Sequence, residues 1–168
     1  MKGQINPIAS HEINDTHEIG LISDTHGLLR PQALEALRGC ARLIHAGDIG
    51  KPQILDALRA IAPLTVVRGN NDLDDAWAGD VPHSAMLRVG DVGIYVTHIP
   101  ADVPQTLPAN IDVVVTGHTH KPLIEQRDGV LFINPGSAGP RRFKLPIAVG
   151  LLHIDEQGVR GELIELTL

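Results

Sequence analysis

Apolar positions along the chain fall in short runs separated by polar, glycine-rich junctions. Glu18–Ser23 reads as a short buried strand. Pro31 then opens a helix whose face carries Leu34 and Leu37 and which Gly39 stops. Ala41–Ala46 is the next apolar run, and Pro52 starts a second amphipathic set, Ile54, Leu55, Leu58 and Ile61. Leu64–Val67, β-branched and bounded by Pro63 and Gly69, is a third strand. Up to residue 70 the chain thus alternates strand, helix, strand, helix, strand, the signature of a parallel sheet with right-handed crossovers.

The second half changes character. Ala85–Val89 and Val92–Thr97 flank Gly90-Asp91, and Pro122–Arg127 and Val130–Asn134 flank Asp128-Gly129. An Asp-Gly step between apolar runs is a strong hairpin signal. Ile147–Ile154 and Val159–Leu168 flank a longer turn at Asp155–Gly158, and Asp112–Thr116 is a further β-branched run. Between His98 and Ile111, Pro100, Pro104 and Pro108 oppose a regular helix. These runs predict two sheets packed face to face with helices outside. Residues 18–168 read as one domain, and 1–17 as an extension without the apolar centre of a signal peptide.

Composition narrows the function classes. A chain of 168 residues suits one domain, and at that size a core forms without disulfides, which the single Cys40 precludes within the chain. Lys and Arg number 14 against 20 Asp and Glu, a formal charge of −6, and aromatics are 2%. An acidic chain with few stacking residues argues against nucleic acid as a partner. The longest apolar run, Ile147–Leu152, is far short of the ~20 residues that span a bilayer. A cytoplasmic location without membrane partners is expected. Nine histidines are the one compositional feature that points to chemistry.

The metal-competent residues follow the strands. Asp24 and His26 follow the first in Ser-Asp-Thr-His-Gly, Asp48 the second in Gly-Asp, and Asn70 the third in Gly-Asn-Asn-Asp. His98 ends Val92–Thr97, and His118 and His120 follow Asp112–Thr116 in Gly-His-Thr-His. Each is unremarkable alone, because Gly-Asp and Gly-Asn occur in many turns and a single strand-end histidine has ordinary roles. In order, and all after strands, they gather on the rim where open α/β sheets collect ligands. Two carboxylates, one amide and four imidazoles without thiolate suit manganese, iron, zinc or nickel rather than calcium or an iron–sulfur cluster. Seven donors exceed one tetrahedral ion and divide into two shells if one carboxylate, Asp48, bridges. Two divalent ions contribute +4, two aspartates −2 and a bridging hydroxide −1, leaving about +1 for an anionic phosphate ester.

The ordered set Asp-x-His, Gly-Asp, Gly-Asn, His, Gly-His-x-His, with Val67–Asp72 and Ile133–Ser137 around it, resembles the calcineurin-like metallophosphoesterase superfamily, in its small single-domain phosphodiesterase branch. The resemblance spans about residues 18–165. It implies a four-layer α/β/β/α sandwich of two mixed sheets flanked by helices. It also implies one metal on Asp24, His26, Asp48 and His120 and another on Asp48, Asn70, His98 and His118. The activity implied is a phosphodiesterase with two divalent ions, manganese first, in which a metal-bound hydroxide attacks a small phosphate diester. Asp48, Asn70 and His98 stand at the reacting centre. The alternative is a binding scaffold on the same fold.

Two positions depart from the family pattern. Asn71 stands where many members place a histidine able to act as general acid, and Ile99 where related chains have glycine. Among supporting residues, His45 could orient a ligand or be a half-buried strand histidine, and Asp72 could fix the Asn70 loop or serve as an N-cap or turn residue. Asn134 and Ser137 satisfy turn backbone, and Arg141 and Arg142 are either phosphate contacts or solvated loop. His11, His17, His83 and His153 have no partner pattern. The short loops Asp72–Val81 and Ile99–Asn110 leave little material for a lid, and the hairpin edges leave a homo-oligomer open.

Overall fold

The computed structural model describes residues 17–168, so most of the extension, His11 included, lies outside the described residues. The first sheet contains β1 (His17–Ile22), β2 (Arg42–His45), β3 (Leu64–Val66), β9 (Ala148–Asp155) and β10 (Gly158–Glu165). Their order is β10-β9-β1-β2-β3, with β1, β2 and β3 parallel, β9 antiparallel to β1, and β10 antiparallel to β9. The second contains β4 (Ser84–Val89), β5 (Val92–Thr97), β6 (Val113–Val115), β7 (Leu123–Arg127) and β8 (Val130–Asn134). It runs β4-β5-β6-β8-β7, parallel in its centre with a hairpin partner at each edge. The β7–β8 turn has φ +51° at Asp128 and +81° at Gly129, two left-handed residues as a tight two-residue hairpin turn requires.

Strand alternation builds two cores. Ile19 and Leu21 of β1 face the other sheet, meeting Ile94, Val96, Val113 and Val115 in the inter-sheet core. Ile22 points the other way, toward α1 (Pro31–Leu37) and α2 (Pro52–Arg59), where Leu37, Leu43, Leu55 and Leu58 pack. The buried face of α1 is Ala33 and Leu37, with Leu34 at its margin. Gly20 lets α1 lie close, since a Cβ there would come within 2.6 Å of Leu37.

Both α-helices cover the first sheet. The outer layer on the second is the segment 98–111, whose helical content is the 3₁₀ turn Pro100–Asp102. Pro100, Val103, Pro104 and Leu107 line a cleft with Val130 and Phe132 of β8. The prolines remove the amides a continuous helix needs there, so the fourth layer is thin. None of the described helices is long and apolar enough to cross a membrane.

Candidate metal centre

The six parallel strands end on one rim, and the loops leaving them carry all the candidate residues. Ala46, just past β2, accepts a hydrogen bond from His98 Nδ1 at 2.7 Å, and Asp24 Oδ2 accepts the His118 amide at 3.1 Å. These bonds tie the ends of the two sheets together. Asp24, His26 and His120 form one group able to hold a metal ion, and Asp48, His98 and His118 a second. Asn70 joins the second group, its Oδ1 lying 3.2 Å from His118 Nδ1. Asp48 stands between them: its Oδ2 is 3.2 Å from His98 Nε2 and 3.6 Å from His26 Nε2. The sequence-predicted residues are therefore brought together, none stranded elsewhere.

The donor atoms fit a cation. Asp24 Oδ1, His26 Nε2, His98 Nε2 and both ring nitrogens of His120 are buried without a hydrogen-bond partner. Polar atoms left so in a folded protein are destabilising unless something satisfies them. Since a carbonyl only accepts, His98 Nδ1 donates to Ala46, which leaves Nε2 as the ring atom facing the carboxylates. Charge effects agree. Burial would raise the Asp24 carboxyl, but the imidazoles of His120 and His26, the charge of His98 and the Ser23 hydroxyl outweigh it and hold it well below the usual carboxylate range. Asp48 is likewise lowered against burial, by His98 and the Asn71 amide. Burial would lower His98, yet Asp48 and Asp24 raise it. The site favours positive charge where its donors converge.

The frame behind these donors is rigid and polar. His45 is fully buried, and burial brings its pKa down to about 4, so it is neutral. Its Nδ1 accepts the Gly47 amide at 3.0 Å. Nε2 therefore carries the proton and donates to Thr25 Oγ1 at 2.9 Å, and that hydroxyl donates to the Ile49 carbonyl. His45 thus fixes the Asp24–His26 turn against the Asp48 loop. Asn134 donates to the Gly117 carbonyl and Ser137 to that of Asp24. A side chain at Gly69 would collide with the Asp48 carboxylate, and one at Gly117 with Ser23 and Asp24. Ile99 lines a small cavity beside His98 with Arg68, Asn70, Leu73 and His83. His83 itself lies 3.6 Å from Asp102, and His153 is held between Glu18 and Glu162.

Two features escaped sequence reasoning. Asp24, His26, Asp48, His118 and His120 all have φ between +46° and +73°. Side chains other than glycine adopt this region at an energetic cost, and such residues cluster at functional sites. The other is the reach of Asp72: besides holding the Asn70 loop through the Gly69 amide, its carboxylate accepts the amides of Ile49 and Gly50 in the Asp48 loop.

The sequence profile of the calcineurin-like phosphoesterase superfamily domain matches residues 18–157. The chain belongs to this superfamily. A probable metallophosphoesterase of Methanothermobacter thermautotrophicus is 33% identical over 159 residues, covering 87% of this chain and 91% of that protein. Phosphodiesterase YfcE of Escherichia coli is 30% identical over 157 residues, covering 79% and 85%. The solved structure of E. coli YfcE superposes with a TM-score of 0.65 over 89% of this chain and all of its own. Vacuolar Protein Sorting 29 of Cryptosporidium parvum, 20% identical with a TM-score of 0.70 over 91% and 99% of the two chains, shares the fold. The sandwich of two mixed sheets is thus that of the calcineurin-like phosphoesterases, and the rim carries two candidate metal groups.

Proposed function

We propose that the protein is a metal-dependent phosphodiesterase working with two divalent ions on a small diester in the cytoplasm. The observation that carries this reading is the convergence of buried, unpartnered oxygen and nitrogen atoms on one rim. Asp24, His26, Asp48 and His120 would hold one ion, and Asp48, Asn70, His98 and His118 the other, with manganese taken first among the divalent ions that this oxygen–nitrogen donor set suits. Bound there, the ions supply a hydroxide nucleophile near neutral pH and positive charge for the phosphoryl oxygens. With Nδ1 donating to the Ala46 carbonyl, Nε2 is the ring atom that His98 turns toward the site. Asp48 is held by the Asn71 amide at 2.9 Å, which fixes its second oxygen between the two groups.

The test is to strip the chain with chelator, reload it with manganese, and compare a chromogenic diester with its monoester. Diester turnover should vanish on stripping and return on reloading, with about two ions bound per chain. Two bound ions with neither ester hydrolysed would hand the fold to the scaffold reading.

Asn71 sets a second expectation. Its side-chain amide lies 3.4 Å from Asp48 Oδ2 and 3.5 Å from His26 Nδ1, and an amide has no ionisable proton to give a leaving group. Among diesters that differ only in leaving-group pKa, the rate is expected to fall steeply as that pKa rises. A flat dependence would mean that another group donates the proton.

A further inference from the structure

The turn Arg142–Leu145 breaks a local rule. The Leu145 amide donates to the Arg142 carbonyl at 3.1 Å, and the residue after Arg142, Phe143, has a φ of +53°. Turns with a left-handed residue at that place draw glycine, asparagine or aspartate, and a bulky side chain there is strained. Phe143 is also 91% exposed. The other aromatics behave differently: Tyr95 is buried, and Trp77 and Phe132 are half-buried. In a chain with four aromatics, one is held in water on a strained backbone, and neither packing nor turn chemistry accounts for it. Local rules broken without a structural gain mark functional contacts.

Its surroundings say what kind of contact. Arg141, Arg142 and Lys144 are exposed beside it, and the Arg141 guanidinium braces the loop through the Leu145 carbonyl at 3.0 Å. The base of the loop is bolted to the metal centre. Ser137 Oγ donates to the Asp24 carbonyl and accepts the Gly139 amide, while Arg30 donates twice to the Gly139 carbonyl, at 3.1 and 3.3 Å. A Cβ at Gly139 would collide with the Asp24 and Thr25 carbonyls. Four residues further on, Phe143 is at most about 14 Å of chain from that contact. An aromatic face among cations thus lies within about 14 Å of chain from the backbone that carries Asp24, on a chain whose overall charge is −6.

We infer that Phe143, with Arg142 and Lys144, forms a recognition wall for the substituent that the diester retains, and that this substituent is a single planar aromatic group, a nucleobase in its biological form. The inference rests on the phosphodiesterase reading for its reaction. Stacking on Phe143 tolerates any base, because every base has a π-face, and the cations answer the phosphate charge. One platform on an acidic chain suits one nucleoside, not a strand.

Two p-nitrophenyl diesters test it on the manganese-loaded full chain, one carrying thymidine through its 5′ oxygen and the other a methyl group. Their leaving groups are identical, so only the retained substituent differs. The wild type should prefer the thymidine ester, and Phe143→Ala should cut the ratio of kcat/KM between the two esters by at least about fivefold, through KM, while Phe143→Trp preserves it. An equal change for both esters, or no change, overturns the inference. A readout free of turnover accompanies it: the added emission of Phe143→Trp over wild type should be quenched by thymidine 5′-monophosphate and not by ribose 5-phosphate. Such quenching without hydrolysis of any ester supports the wall and defeats only the phosphodiesterase reading. Absence of quenching overturns the wall whatever the turnover. Quenching by an oligothymidylate at far lower concentration than the monophosphate would overturn the single-nucleoside assignment.

Discussion

Asp48→Asn is expected to lower diester turnover at least about a thousandfold, the equivalent of about 4 kcal/mol of transition-state stabilisation, and to leave fewer than two ions bound per chain. The carboxylate is nearly buried, with Oδ1 committed to the Asn71 amide and Oδ2 facing the Nε2 atoms of His26 and His98. Asparagine keeps the shape and can keep the bond to Asn71. It must then turn an NH₂ group toward a place where nitrogen lone pairs already converge, and one negative charge of the pair Asp24 and Asp48 is gone. The fold is expected to persist, so metal content by elemental analysis separates loss of the centre from unfolding. A variant that retains two ions and wild-type turnover would remove Asp48 from the reacting centre.

How much of this was legible in the sequence follows from where each signal resides. The hairpins could be read because Gly90-Asp91 and Asp128-Gly129 carry their turn chemistry in the residues themselves. The rim could be read because each donor follows an apolar run, and a strand has only two ends. The left-handed backbone at Asp24, His26 and Asp48 was not legible: no glycine announces it, and the tertiary bonds from Asp24, His26 and Gly27 amides to the carbonyls of Gly47, Asp48 and Ile49 impose it. Likewise His45 shows as one histidine in a strand, yet its role depends on Thr25, twenty residues earlier. The outer layer over β8 was open for a related reason, since the prolines excluded a helix without saying what replaced it. Sequence patterns report which residues an element buries, whereas backbone amides that meet across loops leave no trace in residue type.

Asp72 is the sharpest case. Its carboxylate is fully buried, and three amides hold it: Ile49 at 3.1 Å to both oxygens, Gly50 at 3.2 Å and Gly69 at 2.9 Å. These bonds join the loop carrying Asp48 to the loop carrying Asn70, so one side chain sets the spacing of two donors on different strands. Asp72→Ala strands the buried amides of Ile49 and Gly69 and frees that of exposed Gly50, and each buried, unsatisfied amide costs about 1–3 kcal/mol, less than additively. A loss of about 3–5 kcal/mol is expected in urea unfolding of the metal-free chain, a large share of the roughly 5–15 kcal/mol that holds a domain together. Asp72→Asn keeps one acceptor oxygen and should lose about half as much, which guards against an alanine variant too unstable to measure. Manganese should restore part of the loss in both, because ions that bind only the folded rim stabilise it by mass action, and half-saturation should require more metal than in the wild type. If Asp72→Ala unfolds at the wild-type urea concentration and loads metal at the wild-type midpoint, the two loops are positioned by something else, and the fixed spacing of Asp48 and Asn70 loses its physical cause.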